Sequence, residues 1–162
     1  MVPGRADPGG SVRVAVINHT RVKLPARSLL VRGAEQALAG LRRRARGRPL
    51  AATLVCVGER RMKDYNRRFT GRSELTDVLA FFEGEVDREE GTYRAGDVIV
   101  CSEAARRQAR ARGIRVSDEL LLYAVHGWLH LAGYRDATSA QRAGMVDAER
   151  CIMNKLGLRR TD

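Results

Sequence analysis

Two of the chain's three histidines, His126 and His130, stand four residues apart in the run Val125-His126-Gly127-Trp128-Leu129-His130-Leu131-Ala132-Gly133-Tyr134-Arg135-Asp136. Residues at i and i+4 lie one above the other on a helix face, so both imidazoles can address one cation. Gly133 supplies the break, because a helix commonly ends where glycine adopts positive φ, and the chain then folds back past the histidines. Asp136, six residues after His130, is placed to arrive there as a third ligand. Two imidazoles and one carboxylate leave a coordination position open, as in a catalytic metal site and unlike a closed structural one. Without a metal, a bare histidine pair is a core or capping feature. The segment from Ser117 to Leu131 is almost wholly apolar, which predicts a central buried helix, and histidines inside it are costly unless their nitrogens have partners.

Two further carboxylates are candidates for the chemistry. Glu119 lies seven residues before His126, on nearly the same helical face, and either orients a ligand or serves as a first-turn helix acid. Asp77 ends up near the site at a strand terminus, where it positions substrate or a ligand, or else caps a turn. Trp128 lies on a different face of the histidine helix and is read as core.

The elements that position these residues are mixed. Val12 to Asn18 and Ala51 to Val57 read as strands, Thr76 to Phe82 as a third and Val98 to Cys101 as a fourth, with Glu83 to Ala95 a loop or loose hairpin connection. Helices are expected after Pro25, from Glu59 to Phe69, from Ser102 to Arg112 with Gly113 as stop, from a Ser117 cap through the histidines, and from Thr138 onward, with Gly47-Arg48-Pro49 as a break before the second strand. Thr138-Ser139-Ala140-Gln141 is a capping-box pattern, followed by Met145, Ala148, Ile152 and Leu156 on one face. The result is an α+β domain, with about five helices over a small mixed four-stranded sheet.

These blocks carry a resemblance. His126 to Tyr134 resembles the His-Gly-x-Leu-His-Leu-x-Gly-Tyr signature of the YbeY family, bacterial metal-dependent endoribonucleases implicated in ribosomal RNA maturation. Leu75-Thr76-Asp77-Val78-Leu79-Ala80-Phe81 and Gly96-Asp97-Val98-Ile99-Val100 are similar to two strands of that family. Asn66 sits where the family has an Asn before its Tyr-Arg-Gly segment, and Met145 with Glu149 fits the start of its last helix. The likeness runs over about residues 12 to 157 and implies a zincin-like metal-dependent hydrolase fold. It also implies one Zn2+ or other divalent ion per chain and cleavage of single-stranded RNA, at the 3' end of 16S rRNA and in ribosome quality control. The implied partners are rRNA and the ribosome or small-subunit assembly factors. Two positions depart from the pattern. The family closes its motif with Asp-His, where this chain has Arg135 and Asp136, so the third ligand position holds a carboxylate. Phe69-Thr70-Gly71 replaces Tyr-Arg-Gly, so the phosphate-facing arginine is Thr70, with Arg67, Arg68 and Arg72 as the neighbours able to substitute.

Composition agrees with an anionic partner. The 162 residues suit one domain, expected over 11–158 behind a loose 1–10 tail. Thirty Lys plus Arg against nineteen Asp plus Glu give a formal charge of +11, and the arginines cluster at 42–48, 60–72 and 106–115. Cys56, Cys101 and Cys151 form no CxxC pair and read as small buried hydrophobes in a reducing cytosol. No apolar run approaches the ~20 residues of a membrane helix, and the start lacks a signal-peptide core, so a cytoplasmic location is expected. A metalloprotease is disfavoured because Gly127 stands where an HExxH motif carries its general base. A non-catalytic ribosome-assembly or RNA-binding protein with a structural or lost metal is the remaining alternative.

Overall fold

In a computed structural model, residues 11–159 are described; the expected tail at 1–10 lies outside them. Four strands form one sheet in the order β1-β2-β4-β3: β1 (Val12–Asn18), β2 (Leu50–Val57), β3 (Val78–Asp87) and β4 (Thr92–Cys101). β1, β2 and β4 run parallel, and β3 is antiparallel to β4, leaving β3 as an edge strand. The helices are α1 (Arg27–Ala37), the short α2 (Arg42–Ala45) after a 3-10 turn, α3 (Glu59–Thr70), α4 (Ser102–Arg112), α5 (Val116–Leu131) and α6 (Ser139–Lys155). None of the described helices is long and apolar enough to cross a membrane.

The parallel strands are nearly continuous apolar runs because helices cover them. α5 packs on β3 and β4 and is flanked by α1, α4 and α6, which makes it the central helix expected from its composition. Leu120, Leu121, Val125, Trp128 and Leu129 of α5 join Leu30, Leu54, Val98 and Met145 in one core. Gly127 lets α5 approach the sheet: a Cβ there would lie 2.4 Å from Cγ1 of Val98.

Several boundaries differ from expectation. The segment Glu83 to Ala95, expected as a loop or loose hairpin connection, is a hairpin whose strands stay paired almost to the turn, with Glu85 opposite Arg94, Val86 opposite Tyr93 and Asp87 opposite Thr92. An ion pair links its two strands: Glu83 accepts from Arg94 at 2.7 and 2.9 Å. Asp87 accepts the backbone N–H groups of Glu89 and Glu90 at the turn. A bulge between Phe82 and Glu85 disrupts the alternation that would have marked the strand. β3 begins at Val78 rather than Thr76, whose hydroxyl turns back to the Val78 carbonyl at 3.3 Å. Ser117 does not cap α5. The N-cap is Arg115, whose carbonyl accepts from Asp118 and Glu119 and whose guanidinium pairs with Asp118. Cys56 and Cys101 are buried as expected, but Cys151 is exposed, two positions from Glu149 and off the α6 face that buries Met145, Glu149 and Ile152.

Candidate metal centre

α5 carries His126 and His130 one turn apart, near its C-terminal end. Their Nε2 atoms lie 3.0 Å from each other, and Oδ2 of Asp136 lies 3.8 Å from that of His126 and 3.4 Å from that of His130. Ligands about 2.0–2.1 Å from a tetrahedral Zn2+ stand roughly 3.3 Å apart, so this triangle has the size a zinc ion requires.

The hydrogen-bond partners of the other ring nitrogens fix the tautomers. Nδ1 of His126 lies 2.5 Å from Oε1 of Glu149, and Nδ1 of His130 lies 3.0 Å from the carbonyl of Tyr134. A carboxylate and a carbonyl oxygen accept, so each Nδ1 carries the hydrogen, and an imidazole in that tautomer turns an Nε2 lone pair toward the other ring. Two lone pairs facing one another at 3.0 Å repel unless a cation or a proton sits between them. A carboxylate beside them makes a cation the fitting occupant, and the residues present fit a divalent metal.

Asp136 is held by the loop between α5 and α6. Gly133 has φ of 103°, and Tyr134 N–H returns to the Leu129 carbonyl at 3.0 Å, which turns the chain sharply at the helix end. At the other side Thr138 and Gln141 form the expected capping box, each accepting the other's backbone N–H at 3.1 Å. Arg142 donates to the carbonyls of Asp136 and Ala137 at 3.2 and 3.1 Å. The Asp136 carboxylate itself is exposed.

The triangle opens into a cavity of about 450 Å³, also walled by Thr76, Asp77, Arg112, Tyr123, Arg142 and Glu149. Val78 and His130 also border a second recess, with Leu79, Ala80, Tyr134 and Arg135, beside the edge strand β3. Asp77 and Glu119 thus both reach the site. Asp77 is exposed at the rim, while Glu119 is 1% exposed and accepts two bonds from Arg112 at 3.0 Å. The carboxylate that holds His126 is Glu149, 4% exposed. Sequence reasoning gave Glu149 no role in the site. The available signal was a glutamate in the buried Met145–Ile152 stripe of α6.

Arg67, Arg68 and Arg72 do not line this cavity. Arg67 and Arg68 border a shallow cleft with Arg61 and Tyr65 on α3, and Arg67 pairs with Asp64 at 3.1 Å. Thr70 is likewise outside, its hydroxyl 2.7 Å from both oxygens of Asn66, which donates to the Glu74 carbonyl at 2.8 Å. The rings of Tyr65, Phe69 and Phe81 form a chain from α3 to β3, and Phe69 is 60% exposed.

Comparison with known proteins agrees with this architecture. The solution structure of TM1509 from Thermotoga maritima superposes with a TM-score of 0.52 over 88% of this chain and 91% of that one, at 23% identity, a likeness of fold. Endoribonuclease YbeY of Moorella thermoacetica is 36% identical over 115 residues, 67% of this chain and 74% of that protein. Endoribonuclease YbeY of Thermus thermophilus is 34% identical over 119 residues, 74% and 85% of the two chains. The model of the family described as Endoribonuclease YbeY matches residues 19–157, which include both histidines, Asp136 and every strand but β1. The chain belongs to the endoribonuclease YbeY family.

Proposed function

We propose that this chain is a metal-dependent endoribonuclease that hydrolyses phosphodiesters of single-stranded ribosomal RNA, with residues 11–158 acting as one catalytic domain. The observation that carries the reading is the pair of Nε2 atoms 3.0 Å apart beside a carboxylate, in the wall of an open cavity. His126, His130 and Asp136 hold one ion, Zn2+ in this reading. When bound, such an ion lowers the pKa of a coordinated water and polarises a phosphoryl oxygen.

The chain's own residues do the rest. Glu149 and the Tyr134 carbonyl keep the two imidazoles in the metal-binding tautomer. Asp136, standing where the family has a histidine, adds a negative charge and makes the attacking water less acidic. Asp77 at the rim orients the substrate, and Glu119 acts by fixing Arg112 in the wall. Arg67, Arg68 and Arg72 contact the RNA backbone outside the cavity, where they set affinity more than rate. The aromatic chain Tyr65–Phe69–Phe81 beside them suits unpaired bases, which stack on exposed rings. The setting that fits is the cytoplasm, with the ribosome or small-subunit assembly factors as partners in 16S 3'-end maturation and quality control.

The test is cleavage of matched single-stranded and duplex RNA by the zinc-loaded protein, before and after chelation. Preferential cutting of the single strand, lost on chelation and restored by Zn2+, is expected. RNA bound but left intact under all conditions would sink the nuclease reading.

A further inference from the structure

The cavity contains a second polar cluster that the ligand triangle does not use. Arg112, the last residue of α4, reaches the wall and directs Nη1 at both carboxylate oxygens of Glu119. Its Nε and Nη2 make no hydrogen bond with a described residue. Because Glu119 is buried, this two-fold contact holds the Arg112 guanidinium in the wall. Tyr123, one turn before His126 on α5, lines the same wall and is 7% exposed, and its hydroxyl has no partner among the described residues. Buried hydroxyls are normally bonded, so an orphan beside a binding cavity points to an absent ligand. Burial, with Asp77 and Glu119 nearby, pushes the phenol's pKa well up, so the group stays a donor.

We propose that Arg112 and Tyr123 form a phosphate subsite in the wall of this cavity, which takes a phosphodiester of the RNA strand lying across His126, His130 and Asp136. The proposal rests on the nuclease reading and adds the cation that meets the phosphoryl charge. Thr70, at the position of the family arginine, lies outside the cavity. Arg142, the other guanidinium in the wall, is engaged with the carbonyls of Asp136 and Ala137 and with Ser139. The cavity's acids are Asp77, Glu119, Asp136 and Glu149, so removing Arg112 would leave four carboxylates and one guanidinium to face an anionic strand.

The experiment uses the zinc-loaded full chain and a fluorescein-labelled single-stranded oligouridylate, read by anisotropy and by cleavage. Arg112→Gln combined with Glu119→Gln removes the cation without leaving a buried charge. Tyr123→Phe removes only the orphan hydroxyl. The double variant is expected to keep its metal and lose about tenfold or more in RNA affinity and about 10²-fold or more in kcat, the scale of a lost transition-state donor. Tyr123→Phe is expected to melt no lower than the native chain while binding RNA several-fold more weakly, a split that a purely structural tyrosine would not produce. Native-like RNA affinity in both variants overturns the subsite. If the double variant fails to fold, Tyr123→Phe decides alone. If the native chain binds RNA and cuts none, the nuclease reading falls, while the affinity arm still supports the subsite if the variants weaken binding and overturns it if they do not.

Discussion

Glu149 is 23 residues from His126 in sequence, yet its carboxylate is the group that sets the imidazole's tautomer. A carboxylate on the far nitrogen orients the ring and raises its basicity as a ligand, and losing such a partner typically weakens metal binding 10–100-fold. Glu149→Gln is therefore expected to fold normally and to bind Zn2+ about 10–100-fold more weakly in competition with a chelator of known affinity; unchanged affinity would remove Glu149 from the site's support. The sequence made the histidine pair and Asp136 legible because both follow from local spacing, i and i+4 on a helix and a glycine turn. Glu149 and Arg112 were not legible as parts of the site. They reach it through the packing of α6 and α4 against α5, which no short motif encodes.

Among the elements, α5 could be read from its unbroken apolar run, and α6 from its capping box, because burial and caps are local signals. The β3–β4 hairpin was half hidden. Its outer half is charged and carries a bulge, so neither hydrophobicity nor alternation marked it, and Glu83 finds its partner Arg94 only across the strands. Arg94 first, by direct hydrogen bonding, holds the Glu83 carboxyl below the ordinary carboxylate range. A carboxyl pKa depressed on folding stabilises the folded state above the unfolded-state pKa, and that contribution is lost as pH falls through the folded-state value. The pair is partly solvated, so screening limits it to at most about 1 kcal/mol. Glu83→Gln is thus expected to lower the melting temperature slightly at neutral pH and to converge with the native chain in acid. A difference that persists or grows in acid would show that the pair does not act through charge.

For the whole molecule, the +11 charge and the arginine clusters forecast an anionic partner before any fold was known, and the α+β architecture followed from the order of elements. What composition could not locate was where the charge acts. The structure separates α3, with Arg67 and Arg68, from the metal cavity, with Arg112 and Arg142. If the α3 arginines contact the phosphate backbone, log affinity for single-stranded RNA falls linearly with log salt by about 0.7 per contact. Replacing Arg67, Arg68 and Arg72 with Gln is expected to flatten that slope and raise KM with little change in kcat; an unchanged slope would place the strand elsewhere.

The central claim is that His126, His130 and Asp136 together hold the ion on which cleavage depends. The most direct measurement is bound zinc per chain alongside RNA cleavage for the native protein, His130→Ala and Asp136→Ala. The expected result is about one zinc per native chain, with metal and cleavage lost together in both variants. Asp136→Ala retaining full metal and full activity, or cleavage persisting in metal-free protein, would contradict it.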